Sequence, residues 1–402
     1  MIFTIAAVVA ACGGGGGGGG TNTAIYPRFA FVANANDNSV SSYAVDAATG
    51  RLKYLGKAAA GTTPISVTVD PTGKYAYVAN YSDNTISQYT IGTGGALTPM
   101  ATATVAAGTS PHSVTVDPTG KYAYVANSVD NTISQYSIGS TGALAPMATA
   151  TVAAGTIPFS VTVDPTGKYA YVANIGGNVS QYSIGTGGAL TPMATATVVA
   201  GTSSHSVTVD PTGKYAYVAN SVDNTISQYT IGTGGALTPM ATATVAAGTS
   251  PNSVTVDPTG QYAYVANYND KTISQYTIGT GGALTPMAPV TVAAGTSPIS
   301  VTVDPTGQYA YVANFVDNTI SQYTIGTGGA LTPMATATVA AGTSPNSVTV
   351  DPTGKYAYVA NFNDKTISQY TIGTGGALTP MATATVAAGT NPASIATVGT
   401  WQ

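Results

Sequence analysis

His112 and His205 are the only two imidazoles in a chain of 402 residues, and they occupy matching places in a repeated phrase. Each stands directly before Ser-Val-Thr-Val, in Pro111-His112-Ser113 and in Ser204-His205-Ser206. Imidazole titrates nearest neutral pH, so these are the bases a hydrolase would use to activate water. Metal binding is the other chemistry open to them, but each ligand must lie about 2 Å from the ion. Matching positions two repeats apart do not meet that condition without other groups, and a hydrogen-bonding role demands least. His112 and His205 are therefore weak catalytic candidates; no other catalytic residue is assignable, and neither a metal site nor a cofactor is expected.

The same position in the other copies holds Ile65, Phe159, Asn252, Ile299, Asn346 and finally Ala393. A second variable place follows the phrase YVAN, where the loops open with Tyr81, Ser128, Ile175, Ser221, Tyr268, Phe315 and Phe362. Tyr81, Tyr268, Phe315 and Phe362 could stack on a sugar or peptide. Lys271 and Lys365 lie in the same loops beside Asp270 and Asp364 and supply positive charge. A diversified surface on an unvarying frame is the pattern of a binding face, although relaxed drift in loops gives the same pattern.

The frame is a phrase, DPTGKYAYVAN, beginning at Asp70, Asp117, Asp164, Asp210 and Asp351, and with Gln for Lys at Asp257 and Asp304. In the copy that begins at Pro64, residues 65–69 (ISVTV) alternate as a strand and stop at the turn Asp70-Pro71-Thr72-Gly73. Residues 75–79 (YAYVA) and 85–91 (TISQYTI) read as the second and third strands, and 96–107, carrying Pro99, as an edge strand. Four short antiparallel strands per 46 or 47 residues is the blade of a β-propeller. Asp70 and its equivalents read as turn-makers rather than calcium ligands. Gly92-Thr93-Gly94-Gly95 leads into a strand rather than a helix, so it reads as a hairpin turn and not a phosphate loop. The tyrosines that recur at strand positions read as packing between blades.

The ends are complementary. FAFVAN at Phe29 is a degenerate second strand, with 39–45 and 52–59 as third and fourth, while 392–398 (PASIATV) matches a first strand alone. The C-terminal strand should complete the N-terminal blade, closing a ring of eight blades, with seven as the alternative. Strand alternation then puts both variable sets on one rim. The first set rings the mouth of the central channel and the second sits just outside it.

The run DPTGKYAYVAN, NTISQYTI, GALTPM resembles the lactonase-type (6-phosphogluconolactonase-like) and YVTN-repeat β-propellers over residues 29–398. That resemblance implies lactone hydrolysis, and with it groups to hold a phosphorylated lactone and activate water. The only arginines, Arg28 and Arg51, fall in the degenerate first copy, Glu is absent, and no family active-site residue transfers onto a matching motif. The family is described as seven-bladed, which this count exceeds.

Composition narrows the partners. Fifteen Asp against eleven Lys and Arg leave a formal charge of -4, with no basic stripe for nucleic acid and no basic amphipathic helix for a membrane surface. Residues 2–11 are apolar, and Val9-Ala10-Ala11-Cys12 reads as a lipobox, giving a signal peptide over 1–11 and lipidation at Cys12. Residues 12–24, with eight consecutive glycines, read as a tether, and 25–402 as the propeller. The expectation is an exported bacterial lipoprotein, at the outer membrane, periplasm or cell surface, monomeric. It would bind a protein, peptide or glycan through its variable rim, with lactone hydrolysis at that rim as the alternative and a passive surface protein as a third reading.

Overall fold

The computed structural model describes residues 28–399, so the expected signal peptide, lipidated Cys12 and glycine tether lie outside the described residues. Thirty-two strands form eight four-stranded antiparallel sheets. Blade two shows the unit: β4 (Pro64–Val69), β5 (Tyr75–Asn80), β6 (Thr85–Ile91) and β7 (Leu97–Ala106), ordered β4-β5-β6-β7 from axis to edge. Blades three to eight repeat it, from β8 (Pro111–Val116) to β31 (Leu378–Ala387).

Blade one is composite. β1 (Arg28–Asn34), β2 (Ser39–Val45) and β3 (Leu52–Ala59) come from the head of the described chain and β32 (Pro392–Val398) from its tail. β32 runs antiparallel to β1 with Phe29 opposite Val398 and Val32 opposite Ile395. The ring therefore closes on eight blades, and no open sheet edge is left at the joint.

Turn chemistry explains the strand boundaries. Asp70 ends β4 by accepting at Oδ1 from the backbone N–H of Lys74 (2.8 Å) and Tyr75 (2.6 Å), and at Oδ2 from the N–H and hydroxyl of Thr72. All of its acceptor capacity is spent on the turn, and Gly73 supplies the positive φ of 69° that follows. The same set recurs at each equivalent Asp, which accounts for the invariance of DPTG.

Neighbouring blades are joined by apolar packing and by repeated hydrogen bonds, among them Tyr136 Oη to Ala106 O (2.6 Å) from blade three back to blade two. Tyr77, Ala79 and Ile86 of blade two pack on Val114, Val125 and Tyr136 of blade three. The buried Tyr77 hydroxyl donates to the carbonyl of Gly142 (2.7 Å) in blade three. Gln88 works in both directions: Nε2 donates to Thr102 O (2.6 Å) in its own outer strand, and Oε1 accepts from Leu144 N–H (2.7 Å) of the next. The tyrosines thus hold blade to blade, and their burial pushes the hydroxyl pKa of Tyr89 up to about 12.

Candidate functional site at the channel mouth

The innermost strands begin with a shared irregularity. In blade two Pro64 pairs with Asn80 and Ser66 with Ala79, so Ile65 lies in a β-bulge with no partner of its own. The same shift isolates His112, Phe159, His205, Asn252, Ile299, Asn346 and Ala393. The strand begins at Pro64, one residue before the expected 65–69, so each variable residue lies second in its strand. A bulge re-aims its side chain and frees it from the alternation of the strand.

Just before each bulged pair the backbone is left-handed. Thr63, Ser110, Ile157, Ser203, Ser250, Ser297, Ser344 and Asn391 all have φ between 55° and 61°. None is glycine, and Ile157, β-branched, carries a real steric cost there. The strain is offset by hydrogen bonds to the neighbouring rim loop, as in Tyr81 N–H to Thr63 O (2.9 Å). Strain of this kind collects where geometry is held for a purpose.

The bulged side chains interlock around the ring. His112 Nδ1 lies 3.1 Å from Phe159 O, His205 Nδ1 lies 3.2 Å from Asn252 Oδ1, and Asn252 Nδ2 donates to Ile299 O at 2.9 Å. Asn346 Nδ2 donates to Ala393 O at 2.7 Å. Each polar member reaches to the next blade, 47 residues on. On one side the rings stack in series, with Phe159 3.7 Å from His112 and 5.0 Å from His205 between centroids, and Tyr81 edge-on to His112 at 6.3 Å. Burial pushes the His112 pKa down to about 4, a hydrogen bond to Phe159 O resists that, and nearby His205 adds to it. Burial also lowers His205. Both are therefore neutral imidazoles at pH 7.

The rim aromatics pack onto this ring. Tyr81 and Phe362 cover the cluster of Ala35, Ile65 and Ala393, and Tyr268 and Phe315 pack on the cluster that contains Ile299. All four are half-buried, so the face they offer is partial. Lys271 and Lys365 are exposed and stand at the starts of third strands, away from the axis, on the left-handed turn residue that is Asn in most copies. Asp83 and its equivalents accept from backbone N–H, as Asp83 does from Thr62 (2.5 Å), so they brace the loops. Among the described residues, no group of three or more His, Cys, Asp or Glu could hold a metal ion.

What the sequence did not reveal is the bulge and the interlock. Neither has a local mark, because both arise between residues one blade apart. The two histidines do not meet, since Phe159 stands between them.

A family model described as "Lactonase, 7-bladed beta-propeller" matches the chain over residues 25–289 and again over 92–396. The chain belongs to this lactonase propeller family. Two overlapping matches are what a shorter ring produces when it is laid along eight near-identical units, and the eight sheets make this member one blade larger. Among solved structures, the periplasmic gluconolactonase PpgL of Pseudomonas aeruginosa is 17% identical with a TM-score of 0.62, covering 79% of this chain and 97% of its own. A candidate 6-phosphogluconolactonase from Bacteroides fragilis is 21% identical with a TM-score of 0.64, covering 82% and 99%. Apo AztD from Citrobacter koseri is 12% identical at 0.65, covering 94% and 99%. At these identities the likeness is one of fold. No curated protein matches the chain in sequence.

Within the lactonase family fold, the two arginines do not serve the mouth. Arg28 lies in β1 and forms a buried ion pair with Asp351 of blade eight (2.6 Å), while Arg51 donates to Thr383 (2.7 Å). Both ends of each contact belong to the face of the invariant turns or the outer wall. The mouth itself has two imidazoles, two amides and four apolar side chains, with no ionised group in the ring.

Proposed function

We propose that the chain is an exported propeller that binds a ligand at the channel-mouth ring and the adjoining rim loops. One observation carries this: in all eight blades the residue that varies within the innermost strand is the bulged one, while the rest of that strand stays nearly constant. Drift in exposed loops accounts for the changes after YVAN, whereas the bulged residues lie within strands, where backbone strain aims their side chains at one place. Export is supported by the apolar run before Cys12 and by the likeness in fold to a periplasmic gluconolactonase. Lipidation at Cys12, and a protein, peptide or glycan as ligand, belong to the same reading.

Lactone hydrolysis is the second reading, favoured by family membership and by two neutral imidazoles at the mouth. Chemistry weighs against it as the main role. A base whose pKa sits near 4, as at His112, holds a proton weakly and drives general-base catalysis poorly at pH 7. Among the described residues, no carboxylate hydrogen-bonds either ring to compensate.

The test compares the wild-type chain with a His112→Asn/His205→Asn double variant, both changes copying the asparagines of other blades. The outcome expected is binding on glycan or peptide arrays that the double variant loses by at least tenfold, with no hydrolysis of glucono-1,5-lactone above buffer. Rapid hydrolysis by the wild type, abolished in the variant, overturns the binding reading in favour of the enzyme.

A further inference from the structure

The hydrogen bonds at the mouth determine where each imidazole proton sits. Phe159 O only accepts, so the proton of neutral His112 is on Nδ1 and its Nε2 is a bare lone pair. For His205 the argument runs through one more residue. Asn252 presents Nδ2 to Ile299 O, another pure acceptor, which fixes the amide orientation and turns Oδ1 toward His205. That oxygen accepts, so His205 too carries its proton on Nδ1 and leaves Nε2 bare.

Neither Nε2 has a hydrogen-bond partner among the described residues. His112 is 4% exposed and His205 half-buried, and neither Nε2 is among the fully buried side-chain atoms without a partner, which among the described residues are Oδ1 of Asn80, Asn127, Asn174, Asn267 and Asn361. The amide donors of Asn252 and Asn346 are consumed by backbone carbonyls. The ring thus ties its donors back and keeps its two imidazole acceptors unpaired among the described residues.

We infer that the His112–Phe159–His205 wall reads hydrogen-bond donors on an uncharged, hydroxyl-bearing ligand, and that Asn252 is the positioning residue that holds His205 in the accepting tautomer. The inference rests on the binding reading above and deepens it. An anionic ligand such as a phosphorylated sugar meets two lone pairs and no cation there, and is rejected. A cation-free mouth also separates this member from the phosphorylated lactone that its resemblance implies.

The two histidines make the test direct, since the full-length 15N-labelled chain gives only two imidazole spin systems. At pH 7 both are expected to show a protonated Nδ1 and an unprotonated Nε2. In Asn252→Ile, a side chain already present at positions 65 and 299, His205 shifts to a tautomer mixture while His112 stays as it was. Asn346→Ile leaves both unchanged. Added myo-inositol is expected to move both Nε2 signals, and inorganic phosphate neither. A protonated Nε2 on wild-type His205, or an unaltered His205 in Asn252→Ile, overturns the positioning role. Signals that ignore myo-inositol, or that answer phosphate instead, overturn the ligand class. Zn2+ perturbing both Nε2 atoms together at stoichiometric amounts also overturns it, in favour of a metal site. The tautomer readout needs no ligand, so it separates failure here from failure of the binding reading, which the arrays report.

Discussion

At the scale of the residue, His112 shows how burial and one hydrogen bond set chemical character. Its usual pKa of 6.5 falls to about 4 because charging it means desolvating an imidazolium wedged against Phe159, with His205 close by. Between those two values the unfolded chain holds the proton and the folded chain does not. The stabilisation is therefore complete above about pH 6.5 and is lost as pH falls toward 4. Over the whole window the shift corresponds to about 3 kcal/mol as an upper bound. His112→Asn removes the titrating group while keeping a side chain that Asn252 and Asn346 show to be compatible with the bulge. Urea unfolding at pH 7 and pH 4.5 should show the wild type losing ~2 kcal/mol more than the variant between those conditions. Equal losses in the two proteins would mean that His112 titrates normally and that the mouth is wetter than its packing indicates.

At the scale of the element, the seams between blades are not equal. Seven of them carry a tyrosine hydroxyl on a glycine carbonyl and a glutamine oxygen on a leucine N–H, from Tyr77–Gly142 and Gln88–Leu144 round to Tyr358–Gly50 and Gln369–Leu52. The eighth, between blades one and two, has Phe31 where the tyrosine belongs and Ser42 where the glutamine belongs. Ser42 instead donates to Gly56 O at 3.3 Å within its own blade. Each missing bond is worth about 1 kcal/mol, so this seam is the place where the ring opens first. Phe31→Tyr should raise stability by about 1 kcal/mol and Tyr77→Phe should lower it by about as much or more, since a buried carbonyl loses its donor. Amide exchange checks the ranking independently: Leu97 N–H should exchange faster than Leu144 N–H, and the reverse order would place the weak seam elsewhere. The seam was legible in the sequence, because FAFVAN differs from YAYVAN by the hydroxyls alone. So were the strands, within a residue at each end, because Asp-Pro-Thr-Gly and Gly-Thr-Gly-Gly punctuate them by turn chemistry that acts over four residues. The bulge at Ile65 was not, since it follows from the left-handed Thr63 and from pairing with Asn80, neither of which leaves a local pattern. The tautomers of His112 and His205 were still less so, being set by groups 47 residues away.

At the scale of the whole molecule, closure depends on nearest-neighbour contacts that are almost the same at every seam. Such an array has a stability close to a sum of blade and interface terms, so its copy number is adjustable in principle. Excising residues 298–344 removes one complete unit and joins Ser297 to Pro345, recreating the junction Ser-Pro found at Ser250-Pro251. Blade six then meets blade eight through the same tyrosine and glutamine contacts that each now makes with blade seven. The angle between blades must open from about 45° to about 51°, a change spread over seven seams and within the range that propellers accommodate. The product should be a monomeric ring of seven blades, unfolding cooperatively, with the His112 and His205 resonances in place because blades two to six are untouched. Scattering in solution and thermal unfolding check this. Removing about half a unit, residues 298–318, leaves two strands without their inner partners and should give aggregates. If the whole-unit deletion also aggregates, the eight-blade curvature is written into each seam rather than absorbed by them.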